Sequence, residues 1–183
     1  MLRGTLLTLL IALTVAYPLA VYYGLQHVSP RIMAAALAAI IGLRLLADRQ
    51  RRFLPVGLVL LVFSAVAIWR DDLTTLRLYP VLVNLVMLGL FSWTLLFPPS
   101  LIERLARLKE PDLPPSGVRY TRRVTQVWCG FFVLNGSIAA YTALYSSLAT
   151  WTLYNGLISY LLMGTLFGGE FLLRLRIRKQ PAP

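Results

Sequence analysis

The residues that could do chemistry are few. The chain has one histidine, His27, and one cysteine, Cys129. An imidazole brought to the adjacent carboxylates Asp71 and Asp72 would make an acid–base or metal-binding set, because histidine exchanges protons near neutrality and a carboxylate can orient it. The plainer reading is a turn histidine beside a solvated acidic loop. Glu170 is the second candidate, since a carboxylate within an apolar run needs a proton, a partner or a function. Arg174 follows four residues later, and acidic-before-basic is the order that favours an ion pair along a helix. Arg44 lies near the end of another apolar run, from which its long stem can reach polar surroundings. Asn84, Asn135 and Asn155 either line a polar cavity or bond across helices. Cys129 has Arg122 and Arg123 within two turns, but an apolar helix start favours an inert buried thiol. No glycine-rich phosphate loop, His-Glu-x-x-His or Gly-x-Ser-x-Gly pattern occurs. A lone cysteine excludes an intramolecular disulfide and a cysteine zinc cluster. The residue types therefore predict no cofactor, no metal and no catalytic set.

Most of the 183 residues serve to position these groups. Hydrophobic residues make up 58% of the chain and charged residues 14%, against roughly a quarter charged in ordinary soluble domains. Mean hydropathy is +0.71. Six apolar runs are legible, at about 5–25, 32–47, 53–69, 79–97, 127–148 and 151–173. They predict an all-α, polytopic membrane bundle of six transmembrane helices forming a single domain over 1–183. The first run reads as a span rather than a cleaved leader, being longer than a leader's apolar core and without a small-x-small site. Pro18 should kink it. In the second run Ala34, Ala38 and Gly42 recur four apart, as do Ala35 and Ala39, a spacing that lets a neighbouring backbone approach closely. Pro55 opens the third run where its missing amide costs little. Arg70, Asp71, Asp72 and Arg77 belong to a polar loop, a tight turn is expected at Ala149-Thr150, and Gly164 with Gly168 gives the last run a GxxxG face. Tyr17-Pro18 and Tyr79-Pro80 share Tyr-Pro-x-x-Val, but both fall toward the same side, so no inverted repeat is read.

The one long polar segment, 98–126, separates the fourth and fifth runs. Ser100 and Glu103 have the spacing of a capping box. From Leu101 to Lys109 the residues Leu101, Ile102, Leu105 and Leu108 share one face, which predicts a short cytoplasmic helix lying on the membrane surface. Arg104, Arg107, Lys109, Arg119, Arg122 and Arg123 are the expected membrane-surface contacts. With both termini on one side, fifteen of the eighteen basic residues fall there and only Arg31, Arg70 and Arg77 on the other. That asymmetry places the termini in the cytoplasm. It accounts for the net charge of +11 without a nucleic-acid partner. Membrane lipids, other inner-membrane proteins and a second copy of the chain are the partners that remain.

Several stretches together resemble a bacterial inner-membrane family. Pro18-Leu19 with Val21-Tyr22-Tyr23, ahead of the alanine-rich second run, is similar to the opening of intracellular septation protein A. Pro99-x-x-Ile102-x-Arg104, then Pro114 and Trp128-x-x-Phe131-Phe132, is similar to that family's second half. The chain departs by its longer first run, its richer arginine content and the inserted segment Pro114 to Tyr120. It looks closer to relatives of that family that sit beside aryl polyene clusters in proteobacteria. The resemblance implies a multispan inner-membrane protein of envelope biogenesis and no catalytic residues. The expected function is thus non-enzymatic, through protein or lipid contacts. A small transporter or lipid-flippase component is the alternative, with Glu170, Arg44, Asn84 and Asn135 around one polar site. A membrane enzyme built on His27 is a third class.

Overall fold

The structure is a computed structural model that describes residues 29–47 and 54–179. The expected first span, His27, Arg3, Arg49, Arg51 and Arg52 lie outside the described residues. Every described element is helical. In chain order these are α1 (Pro30–Ala47), α2 (Leu54–Arg70), α3 (Leu73–Arg77), α4 (Tyr79–Leu96), α5 (Leu101–Arg107), α6 (Pro115–Tyr145), α7 (Leu148–Leu153), a π turn (Tyr154–Ile158) and α8 (Ser159–Lys179). They divide into two compact units. The first holds α1 to α3, the first turn of α4, the end of α6, and α7 with the start of the π turn. The second holds the rest of α4, α5, most of α6 and α8.

In the first unit α1 packs on α2 through small residues. Ala34 and Ala67 are fully buried together with Leu76 of α3, and Met33 and Ile68 close the cluster. Gly57 allows the approach, since a Cβ there would collide with the Leu45 side chain. Of the small residues expected to mediate packing, Ala34 does so, whereas Ala35 and Ala39 are exposed and Gly42 has open space beside it. The start of α1 is tied from a distance. The Arg31 amide donates to Asp71 Oδ1 at 2.8 Å and Arg31 Nε donates to the Ile68 carbonyl at 3.2 Å. A carboxylate on a helix's first free amides also suits the positive end of its dipole. Asp71 reaches this position with φ of 50°, a left-handed conformation that aspartate tolerates better than most residues.

In the second unit an aromatic cluster forms the core. Phe91, Trp128 and Phe132 are buried, with Leu101, Ile102, Met163 and Leu166 packed against them. Phe91 and Phe132 meet edge-to-face at 5.1 Å, the arrangement favoured by the ring quadrupoles. Thr94 links α4 to α5. Its Oγ1 donates to the Phe91 carbonyl at 2.9 Å and accepts from the Leu101 amide at 2.9 Å.

The six-span membrane bundle is not what is observed. Among the described residues two helices, Tyr79–Leu96 and Pro115–Tyr145, are long and apolar enough to cross a membrane, and the apolar α2 is shorter. Seventeen residues of α2 rise about 26 Å, short of the roughly 30 Å hydrocarbon thickness. The sixth run forms α7, a π turn and α8 in succession, and α8 carries Glu170, Arg174 and Arg176. The multi-pass inner-membrane location, the cytoplasmic termini, the partnership with membrane lipids and other inner-membrane proteins, and the envelope-biogenesis and transporter readings all rested on six spans. They are corrected with it.

Local expectations change too. The polar loop after α2 contains α3, whose N-cap is Asp72. The helix α6 opens at Pro115 and is 31 residues long, because proline is preorganised for the first helical position. The break expected at Ala149-Thr150 falls at Ser146-Ser147, where Ser147 Oγ accepts from the Thr150 amide at 3.2 Å. The capping box of α5 does not form. Ser100 occupies the N-cap without a side-chain bond, and Glu103 turns to Arg107. Leu101 and Ile102 face the aromatic core while Leu105 and Leu108 are exposed, so the predicted common lipid-facing row is split.

Candidate functional site

Arg77 is the centre of the first unit. It ends α3, and its Nη2 donates to the Thr142 and Ser146 carbonyls, each at 2.6 Å. These are carbonyls of the last turn and cap of α6, which lack helical partners and carry the negative end of the dipole. The Arg77 carbonyl in turn accepts from Trp151 Nε1 at 2.9 Å, and Trp151 is completely buried. One residue thus joins α3, the end of α6 and α7. Burial pulls the guanidinium below its ordinary range, yet arginine keeps its charge across accessible pH. Arg77 Nε is buried with no partner. Beside this node Asn155 Nδ2 donates to the Trp151 carbonyl at 2.9 Å and to Thr142 Oγ1 at 3.3 Å.

Asp72 is held by α3. Its two oxygens accept from the Thr75 amide at 2.7 Å and from Thr75 Oγ1 at 2.6 Å, and Arg70 approaches at 3.0 Å. The Thr75 hydroxyl, then its amide and Arg70, lower the Asp72 pKa against an opposing effect of burial. Asp71 and Asp72 are therefore both engaged in capping, and His27 lies outside the described residues. Among the described residues no cluster of three metal-ligating side chains occurs.

In the second unit Asn84 and Asn135, both nearly fully buried, meet directly. Asn135 Nδ2 donates to Asn84 Oδ1 at 3.1 Å. Glu170 Oε1 accepts from the Tyr120 hydroxyl at 3.3 Å. The expected ion pair with Arg174 is not formed among the described residues. Arg44 is exposed on α1 in the first unit. Of the four residues expected around one polar site, Asn84 and Asn135 come together, Glu170 bonds to Tyr120, and Arg44 belongs to the first unit. Cys129 is half-buried, lies 3.6 Å from Ser92 Oγ and packs against the aromatic core.

The six basic residues of the polar segment fall into two groups. Arg104 donates from Nε to the Pro99 carbonyl at 2.8 Å and from Nη2 to the Phe97 carbonyl at 3.4 Å, satisfying the end of α4. Arg107 pairs with buried Glu103 at 2.8 Å and reaches the Pro111 carbonyl at 2.9 Å. These two are structural. Lys109, Arg119, Arg122 and Arg123 are exposed. The last three lie on one side of α6, and none of them forms an ion pair among the described residues. Nothing in the sequence signals the roles of Arg77, Tyr120 or Trp151, since each depends on a partner distant in the chain. Comparison with known protein families, with curated proteins and with solved structures finds no match.

Proposed function

We propose that this chain is a non-enzymatic helical protein that works by docking through the outward side of α6. One observation carries the reading. The chemistry-bearing groups inside each unit (Arg77, Asn84, Asn135, Asn155, Glu103) are bonded to the protein's own backbone or side chains, whereas Arg119, Arg122 and Arg123 stand outward and form no ion pair among the described residues. Arginine and asparagine side chains do not exchange protons at accessible pH, and the Glu103 charge is spent on Arg107. Of what the likeness to intracellular septation protein A implies, the proposal keeps only the lack of catalytic residues.

The test is complementation of cells lacking the chain by full-length variants whose melting curves are measured in parallel. Glu170→Gln and the Asn84→Leu/Asn135→Leu pair should preserve function. Val133→Ser with Leu134→Ser, on the outward side of α6, should lose it at unchanged stability. Loss of function in Glu170→Gln with an unchanged melt would restore a chemical role for that carboxylate and overturn the proposal.

A further inference from the structure

The outward side of α6 is unusual in how it orders charge. Arg119, Arg122 and Arg123, then Val127, Val133 and Leu134, are all exposed. At 3.6 residues per turn they fall within an arc of about 140°. The side is therefore basic for rather more than one turn and carries three apolar residues over the next two, with Gln126 and Gly130 exposed among them, the change running along the axis rather than around it. Arg119 with Arg122, and Arg119 with Arg123, are like charges at the spacings that repel on a helix. The protein does little to relieve this. It has seven acidic residues against eighteen basic ones, and Asp71, Asp72 and Glu103 are already paired with Arg31, Arg70 and Arg107.

We infer that this side of α6 binds an acidic, amphipathic helix of another protein. The partner carries Asp or Glu over two turns, followed by apolar residues at helical spacing. Charge complementarity selects the acidic half, because guanidinium groups pair with carboxylates in forked geometry. The exposed Val127, Val133 and Leu134 select the apolar half, as in helix-to-helix recognition through i, i+3, i+4 and i+7 anchors. A helix built to lie on a lipid surface instead separates its basic and apolar residues onto opposite faces, which α6 does not do over this stretch. The inference deepens the docking reading above and rests on it.

The experiment titrates the full-length protein with a synthetic helix of about 20 residues, glutamates over its first two turns and leucines at i, i+3, i+4 and i+7 beyond. Two control helices replace the glutamates by glutamine or the leucines by serine, and vesicles of phosphatidylglycerol and phosphatidylcholine form a separate arm. The acidic helix should bind, and both controls should bind about tenfold more weakly or worse. Arg119→Gln/Arg122→Gln/Arg123→Gln, on an exposed side where folding is not at risk, should lose about as much. Binding insensitive to the arginine changes would overturn the inference, as would vesicles binding the protein in the arginine-dependent way while the helix does not. Failure of the helix to bind, with the complementation pattern above intact, would remove this partner and leave the docking reading standing.

Discussion

Asn135 and Asn84 bond amide to amide at 3.1 Å inside the second unit, and Gly136, the residue after Asn135, lies where a side chain would press on Asn84. A Cβ at Gly136 would stand 3.0 Å from Asn84 Cβ, tighter than side chains ordinarily pack. The asparagine pair and the glycine are therefore one feature. Asn135→Leu alone should destabilise by about 1–3 kcal/mol, the penalty for stranding a buried amide. The double change Asn84→Leu/Asn135→Leu should cost less than the sum of the singles, the non-additivity expected of directly bonded residues. Gly136→Ala should also destabilise, unlike Gly164→Ala, where nothing lies within 4 Å. Denaturant melts of these variants, with Asn84→Leu completing the cycle, check this.

Arg77 should tolerate lysine better than methionine. Its Nη2 serves two carbonyls at the end of α6, and a lysine ammonium, with three donors on one nitrogen, can replace part of that pair. Arg77→Met should cost on the order of 2–3 kcal/mol, the scale for hydrogen bonds from a charged donor, and Arg77→Lys a fraction of that. Trp151→Phe removes the indole donor to the Arg77 carbonyl and part of a fully buried ring, so it should cost at least as much as Arg77→Met. Thermal unfolding ranks the three.

Acid should weaken the α3 cap. Asp72 has its folded pKa lowered, first by the Thr75 hydroxyl. A lowered carboxylate contributes stability that is fully present above its unfolded pKa of roughly 3.9 and is lost as pH falls through the lower folded value. The melting temperature should therefore drop more steeply on acidification in the parent than in Thr75→Val, where the main cause of the shift is gone. Asp72→Ala should cost about 1 kcal/mol at neutral pH, as loss of an N-cap usually does. Equal acid slopes in the parent and Thr75→Val would show that the hydroxyl does not set the Asp72 pKa.

The π turn holds one residue more than an α-helix would. Tyr154 and Asn155 are its buried members, while Leu157 is exposed. Deleting Leu157 should let α7 and α8 join as a continuous α-helix, each keeping its buried side, with a small change in melting temperature. Deleting Val133 from the middle of α6 rotates the residues beyond it by about 100°, which would turn Asn135 away from Asn84. That variant should unfold far more readily, and circular dichroism melts of the two deletions compare them.

The sequence by itself determined that the chain is helical and where three of its helices run. The apolar runs at 32–47, 53–69 and 79–97 correspond closely to α1, α2 and α4, because helical periodicity and proline punctuation act over a few residues. The rest depended on partners far along the chain. Arg77 read as a loop cation until its bonds to Thr142 and Ser146, 65 and 69 residues away, were seen. Asn84 and Asn135 were legible as buried amides, but their pairing spans 51 residues. Ser100 and Glu103 had the spacing of a capping box, yet Arg107 offered Glu103 a charged partner one turn on. Six spans were inferred because apolar composition reports avoidance of water without reporting what covers the surface. Helix ends and the π turn were decided by how the chain packs, since a helix ends where its backbone groups find other partners.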